Sequence, residues 1–269
     1  MKVRFLIDNY VDKAELCAEH GFSCWINFNG KNILFDAGQT EHIAKNGKIF
    51  GLDFNKLDCI VLSHGHYDHT GGLASIFNGK INIYAHKDIG VDHFRGSQNG
   101  EYHYIGINKD FYGRYRDKFI FNERLVEFLP DLFLSGTIIR SEPFDSDQNL
   151  FQYHSGVYQK DIFSDEQYLV VRENSEYSIF TGCSHSGIIN IIKDFYEKFG
   201  RVRINALVGG FHLFRSCGEE LLMVADYLLK CDVKKIYTGH CTGIEAMIYL
   251  KNVLGEKLVP IKVGLEFEV

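Results

Sequence analysis

The chain has 269 residues, of which 45% are hydrophobic, and its formal net charge is -6 at pH 7. This size and composition allow a large buried core. The negative charge argues against a general nucleic-acid-binding surface but leaves phosphate-bearing small molecules open as substrates. No apolar run approaches the ~20 residues of a membrane span, and we expect no signal peptide at the amino terminus.

Cysteine usage indicates a reducing compartment. The cysteines are odd in number and have no regular spacing, which favours reduced thiols in a cytoplasmic protein over a disulfide framework. They are Cys17, Cys24, Cys59, Cys183, Cys217, Cys231 and Cys241.

The amino-terminal part of the chain is predicted to form mainly strands. Residues 2–7 read as a strand, and residues 23–28 and 31–35 as a hairpin around Asn29-Gly30, a dipeptide typical of tight turns. A helix and a connecting loop are expected within residues 40–56. The sequence contains only three prolines and lacks a linker-like run, so we expect one domain over residues 1–269.

The most informative segment follows an apolar run at residues 58–62, which reads as a buried strand. His64 and His66 alternate, so both imidazoles lie on one side of an extended backbone. Asp68 and His69 come where Thr70-Gly71-Gly72 permits a tight turn into a helix, and they can turn towards an adjacent cation. Four nitrogen and oxygen ligands at this spacing predict a dinuclear metal centre.

A strand is predicted at residues 81–85, and His86 at its end is interpreted as a histidine that supports a metal ligand or as a structural one. Residues 87–163, which follow, show poor periodicity. We expect this segment to be a substrate-covering insertion. Its aromatic and arginine residues can stack on a heterocycle or steer a phosphate, or they can form a solvated strand face. Arg140 is a candidate contact for an anionic substrate, or else a surface arginine.

The second half of the chain repeats one pattern. After a predicted hairpin at 168–172 and 177–181, three strand-to-helix units follow, and each strand ends in a small-residue turn that carries a histidine. The helices are predicted at 188–199, 219–230 and 245–254. Ligand sites in α/β sheets collect at the carboxyl ends of strands, so His185, His212 and His240 are expected to converge on the first cluster.

The motif His64-x-His66-x-Asp68-His69 resembles the signature of the metallo-β-lactamase fold superfamily. The segments at residues 181–188, 209–213 and 238–243 resemble a branch named after a dihydropterin–ribofuranosylaminobenzene phosphate synthase, as do residues 19–23 and 34–39. The resemblance implies an α/β fold, an αββα sandwich of two mixed sheets with outer helices. It also implies one or two divalent metals and a role for Asp36 in orienting a ligand histidine.

One departure from the superfamily pattern affects the expected metal ligands. Many dinuclear members have a bridging aspartate in the turn where this chain has Thr181-Gly182-Cys183, so Cys183 or His185 must fill that place. We assign one cation to His64, His66 and His185 and a second to Asp68, His69 and His240, with His212 as a substitute ligand. A thiolate at Cys183 would favour Zn²⁺, whereas nitrogen and oxygen ligands alone leave Mn²⁺ or Fe²⁺ open.

The function that these features favour is metal-dependent hydrolysis of an ester- or phosphodiester-type small molecule by a metal-bound hydroxide. Asp68 is expected to orient this nucleophile, and His212 to stabilise developing charge or protonate the leaving group. Cys183 and Arg140 are candidate substrate contacts.

Two other functions fit the same residues. The first is the synthase reaction of the resembling branch, with a pterin-like, phosphate-bearing substrate, and ligand protection by a dihydropterin would favour it. The second is a metal-dependent binding or redox protein without hydrolytic turnover, which visible absorption from bound iron would favour.

Overall fold

The apolar side chains of the strands divide into three clusters that define the layers of the fold. The computed structural model describes residues 1–97, 99–144, 147–216 and 218–269. Val3 and Phe5 of the first strand belong to a cluster between the two large sheets, whereas Leu6 belongs to a cluster under helices, because successive strand side chains point to opposite faces. The predicted αββα sandwich of two mixed sheets with outer helices is confirmed.

The first sheet combines antiparallel and parallel pairs. In spatial order its strands are β18 (Glu266–Glu268), β1 (Lys2–Ile7), β2 (Ser23–Phe28), β3 (Lys31–Phe35), β4 (Cys59–Val61), β5 (Asn82–His86) and β8 (Phe119–Asn122). Pairing is antiparallel from β18 to β3 and parallel from β3 to β8. Asn29 and Gly30 both have positive φ, 48° and 75°, as the predicted hairpin turn requires.

The second sheet places the three predicted histidine turns side by side. In spatial order its strands are β17 (Leu258–Pro260), β16 (Val233–Thr238), β15 (Ile204–Gly209), β14 (Glu176–Phe180), β13 (Leu169–Glu173), β10 (Leu132–Leu134) and β9 (Val126–Leu129). β14, β15, β16 and β17 are parallel neighbours, so the carboxyl ends of β14, β15 and β16 meet at one edge.

A third, antiparallel sheet arises from the segment expected to cover the substrate. Its strands are β12 (Val157–Lys160), β11 (Leu150–His154), β6 (Asp92–Gly96) and β7 (Tyr102–Tyr104). The same segment also sends β8 to the first sheet and β9 and β10 to the second. The covering role of residues 87–163 and the extent of the domain over 1–269 stay predictions.

Helices cover the outer faces of both large sheets. α1 (His42–Ile49), α3 (Leu73–Ile76) and α4 (Lys109–Arg114) pack on the first sheet, and α5 (Ile188–Phe199), α6 (Gly218–Lys230) and α7 (Ile244–Leu254) pack on the second. The short helix α2 (Tyr67–Thr70) carries Asp68 and His69. Single 3-10 turns lie at Phe54–Lys56, Arg116–Lys118, His240–Thr242 and Gly255–Lys257.

Two sequence expectations concern membranes and thiols. Within the described ranges, none of the helices has both the length and the apolar character that a membrane crossing requires. Six cysteines are free thiols, in agreement with the prediction, and Cys217 lies outside the described residues.

Candidate metal centre

The loop after β4 in the first sheet faces the loops after β14, β15 and β16 in the second. The first loop and α2 bring His64, His66, Asp68 and His69, and the other three bring Cys183 with His185, His212 and His240. All eight side chains belong to residues that are buried. The predicted convergence of the late histidines on the first cluster is therefore present in the structure.

His64, His66 and His185 form one group of imidazoles. Their ring centroids lie 4.6 Å apart for His64 and His66, 5.0 Å for His64 and His185, and 4.8 Å for His66 and His185. Ligand atoms of His64 and His185 lie within 4.8 Å of each other and of Cys183 Sγ, whereas the ligand atom of His66 forms such a set with His93 and Asp161.

Asp68, His69 and His240 form a second group beside the first. His69 Nε2 lies 3.2 Å from His240 Nε2, and Asp68 Oδ2 lies 3.3 Å from His240 Nε2 and 3.7 Å from His69 Nε2. The Sγ atom of Cys183 lies 3.1 Å from His69 Nε2. This second group therefore contains a thiol in addition to the three predicted ligands.

Cys183 joins the two groups. Its Sγ atom belongs to three sets of side chains whose ligand atoms lie within 4.8 Å of one another. The other members of these sets are Asp68, His69 and His240 in the first, His64 and His185 in the second, and His212 and Cys241 in the third. A side chain shared in this way stands where the superfamily pattern has a bridging carboxylate. The structure therefore puts the Cys183 thiol beside both groups, and its role in place of that carboxylate stays a prediction.

The hydrogen bonds around the imidazoles fix which nitrogen points into the cluster. His69 Nδ1 donates to Asp36 Oδ2 at 2.7 Å, His64 Nδ1 donates to Ser63 Oγ at 2.9 Å, and His240 Nδ1 donates to Asn9 Oδ1 at 2.9 Å. Each Nε2 atom therefore faces the cluster. In the described part of the chain, the buried Nε2 atoms of His64 and His66 have no hydrogen-bond partner. Lone pairs that converge in a buried site fit a divalent cation.

The pKa values of the site residues shift in two directions. Burial would lower the pKa of His69, but the carboxylates of Asp68 and Asp36 outweigh it and raise that pKa to about 9, whereas the pKa values of His64, His66 and Asp68 are lowered. Burial, reinforced by the neighbouring imidazoles, lowers the pKa of His64 well below its ordinary value and lowers that of His66 to about 3. Burial opposes ionisation of Asp68, but His69, His20 and His240 outweigh it and hold the pKa of Asp68 well below its ordinary value. Neutral imidazoles and an ionised carboxylate are the forms that bind metals.

Asp36, directly after β3, makes hydrogen bonds to both Ser63 and His69, at the two ends of the His64–His69 segment. Its Oδ1 accepts from the Ser63 amide at 2.8 Å, and its Oδ2 accepts from Ser63 Oγ at 2.7 Å as well as from His69. The predicted contact between Asp36 and a histidine of the His64–His69 segment is thus present, and this histidine is His69. Gly182 packs against Ser63 so closely that a Cβ atom on Gly182 would lie 2.1 Å from Ser63 Oγ.

Replacing Asp36 with asparagine should weaken zinc binding by about 10–100-fold. Asparagine has a single acceptor oxygen, so its NH₂ group must face either His69 Nδ1 or the Ser63 amide, and both of these are donors. A competition titration with a chromophoric chelator measures this change. Asp226→Asn, at an exposed position of α6, serves as the control. Equal zinc affinity in Asp36→Asn and the unmodified protein would contradict the orienting role.

The loop after β1 holds His240 through hydrogen bonds that Asp8 and Asn9 accept, which the sequence did not predict. Asp8 Oδ2 accepts from the His240 amide at 3.0 Å. The Asn9 amide donates from Nδ2 to His20 Nδ1 at 3.3 Å, which leaves His20 Nε2 to donate to Asp68 Oδ2 at 3.2 Å. His20 is thereby a member of the site, although the sequence analysis gave it no role.

Acidic residues after β12 accept hydrogen bonds from the backbone of the loops that carry His64, His66 and His185. Glu166 accepts from the amides of His185 and Ser186 at 2.6 and 2.7 Å, and Asp165 Oδ2 accepts from the Gly65 amide at 2.6 Å. His93 of β6 lies between Asp165 and Asp161, and its ring centroid lies 4.8 Å from that of His66. These residues fix the backbone that carries His64, His66 and His185.

Several residues of the site adopt a left-handed backbone conformation. The φ angles are 54° at Asp36, 60° at Ser184, 49° at His212 and 48° at His240. Such angles are uncommon outside glycine and typically cost about 1–3 kcal/mol each, so the surrounding hydrogen bonds must hold them. These hydrogen bonds therefore hold the turns that carry the ligand side chains.

A cavity of about 370 Å³ opens onto the cluster. His66, Asp68, Cys183, His185, His212 and His240 line it, together with His20, Cys241, Tyr10, Tyr67, Phe214, Ile105, Leu150 and Arg95. Arg140 lies elsewhere, since its guanidinium donates to the Ile162 carbonyl and lies 6.0 Å from the Phe163 ring centroid. Its contact with a substrate stays a prediction.

Comparisons with known proteins agree with this geometry. A family model described as the metallo-beta-lactamase superfamily matches residues 19–141. The uncharacterized protein MJ0448 of Methanocaldococcus jannaschii is 34% identical over 260 residues, 93% of this chain and 94% of the relative. The 7,8-dihydropterin-6-methyl-4-(beta-D-ribofuranosyl)-aminobenzene-5'-phosphate synthase of the same organism is 32% identical over 263 residues, 91% of this chain and 89% of the relative. The crystal structure of Tm1679, a metal-dependent hydrolase of the beta-lactamase superfamily, has a TM-score of 0.88 and 30% identity, covering 100% of this chain and 99% of that chain.

Proposed function

The chain belongs to the metallo-β-lactamase superfamily, and we propose that it is a metal-dependent hydrolase acting on an ester- or phosphodiester-type small molecule. The observation that carries this proposal is the pair of ligand groups that share Cys183 and lie beside the cavity. Two adjacent cation sites next to a space for a small molecule suit metal-assisted hydrolysis.

We assign His64, His66 and His185 to one divalent cation and Asp68, His69 and His240 to the other, with Cys183 between them. The thiol and the imidazoles together favour Zn²⁺ over Mn²⁺ or Fe²⁺. When bound, such cations supply Lewis acidity and lower the pKa of water towards neutrality.

The side chains in the cavity supply orientation and proton transfer. Asp68 orients the attacking water, and a hydrogen bond from His20 holds the Asp68 carboxylate in place. His212 lies at the cavity surface with its ring centroid 4.3 Å from that of His185, where it can stabilise charge on the substrate or donate a proton to the leaving group.

Elemental analysis combined with a substrate screen tests the proposal. Protein purified without added metal should contain about two zinc ions per chain and should hydrolyse para-nitrophenyl acetate or bis(para-nitrophenyl) phosphate. Metal-replete protein that turned over no ester and no phosphodiester in the screen would contradict the proposed hydrolase function.

A second candidate is the reaction of the synthase relative, in which the metal site would bind a departing diphosphate and the cavity would hold a pterin. The 32% identity along 91% of this chain supports it, as do the aromatic side chains of Tyr10, Tyr67 and Phe214 in the cavity. A dihydropterin at one hundred times its Kd should then stabilise the fold by about 2.7 kcal/mol in thermal unfolding. Absence of any stabilisation at saturating concentrations would remove this candidate.

A further inference from the structure

Strand β6 presents two functional side chains on one face. His93 and Arg95 are two residues apart, so both point to the same side of the strand. His93 contacts the ring of His66, and Arg95 lines the cavity that His66 also lines. The small third sheet thus forms a wall of the cavity, and Arg95 is the arginine on that wall.

A buried carboxylate holds Arg95 in place together with a second arginine. Asp147 Oδ2 lies 2.9 Å from Arg95 Nη2, and Asp147 Oδ1 lies 2.8 Å from Arg215 Nη1. The Asp147 side chain is 0% exposed, whereas those of Arg95 and Arg215 are 44% and 46% exposed. Two guanidinium groups on one carboxylate leave one positive charge in excess, and this charge lies at the cavity.

The neighbours of this arginine pair are mostly apolar or aromatic. Leu150, Ile105 and Phe214 line the same cavity, and the guanidinium of Arg215 lies 5.2 Å from the Phe214 ring centroid. A fixed cation in such surroundings fits a small molecule with an apolar body and one anionic group.

We infer that Arg95 recognises an anionic group of the substrate, a carboxylate or a phosphate, at a position separate from the bond that is hydrolysed. The inference rests on the proposed hydrolase function. Arg95 then sets specificity, because a guanidinium binds a carboxylate or phosphate through paired hydrogen bonds that a neutral substrate cannot make.

Paired substrates test this role. The unmodified protein and Arg95→Gln are compared on para-nitrophenyl acetate, on mono(para-nitrophenyl) succinate and on the para-nitrophenyl ester of phosphonoacetate. Arg95→Gln should lower kcat/KM for the two anionic esters by about 10–100-fold more than it lowers kcat/KM for the acetate. The larger of the two losses identifies the preferred anion, and Arg95→Lys should restore part of the activity because it keeps the charge.

Arg172→Gln is the matched control, because Arg172 is 40% exposed, is paired with Asp131 and lies on β13. Equal losses on neutral and anionic esters, or no loss on either anionic ester, would overturn the inference. If the unmodified protein hydrolyses none of the esters, the hydrolase proposal fails, and thermal unfolding of zinc-loaded protein with succinate or inorganic phosphate decides the anion site. Stabilisation that is lost in Arg95→Gln but kept in Arg172→Gln supports the site, and equal stabilisation in all three proteins rejects it.

Discussion

Replacing Asp68 with asparagine is expected to lower kcat/KM for a para-nitrophenyl ester by about 100–10,000-fold, the usual contribution of a positioned acid or base. The Asp68 carboxylate faces His20, His69 and His240 from a side chain that is 8% exposed. An amide has nearly the same shape but no negative charge, so it loses both its affinity for a cation and its ability to accept a proton from water.

The metal content of Asp68→Asn distinguishes binding from orientation. A loss of about one zinc ion per chain would assign Asp68 to the second cation, whereas full occupancy with the same kinetic loss would assign it to the water alone. Asp117→Asn, at a side chain that is 73% exposed, is the control. Unchanged turnover in metal-replete Asp68→Asn would contradict the proposed mechanism.

Replacing Cys183 with serine should weaken zinc binding at both positions by at least about 100-fold, because the soft ligand shared by the two groups becomes a hydroxyl. Burial raises the pKa of the Cys183 thiol well above its ordinary value, and a cation beside the thiol would oppose that shift. Cobalt-substituted protein offers a direct measurement, since a cobalt–thiolate bond produces charge-transfer absorption in the near ultraviolet.

This absorption should disappear in Cys183→Ser and persist in Cys59→Ser. Cys59 lies in the cluster between the two large sheets and is equally buried, so its serine variant controls for placing a hydroxyl in the interior. Equal spectra for Cys183→Ser and the unmodified protein would mean that Cys183 is not a metal ligand. The two cations would then be held by the assigned histidines and Asp68 alone.

The parts of the fold that could be predicted are those with a strong local pattern. Helix α5 begins and ends at the predicted residues, because apolar side chains recur along one face of Ile188–Phe199 and glycines flank it on both sides. The convergence of His185, His212 and His240 also followed from the sequence, since consecutive parallel strands place their carboxyl ends at one edge.

The parts that could not be predicted depend on contacts between distant segments. The strands between residues 92 and 160 have three to five residues each, too few to show a period. His93 meets Asp161 across 68 positions, and Arg95 meets Asp147 across 52. The register of β6 against β11 decides these pairs, and no single strand encodes that register. The role of His20 could not be predicted for the same reason, because its partner Asp68 lies on the distant helix α2.

The ligand loops come from both large sheets, so a cation bound there ties one half of the sandwich to the other. Binding to the native state alone stabilises it by mass action, and the gain disappears when the metal is withdrawn. The edge that holds the loops should then open more often, and a cellular protease should cleave the chain there more readily. The abundance of the protein in the cell should therefore follow the supply of metal, even when its gene is expressed at a constant rate.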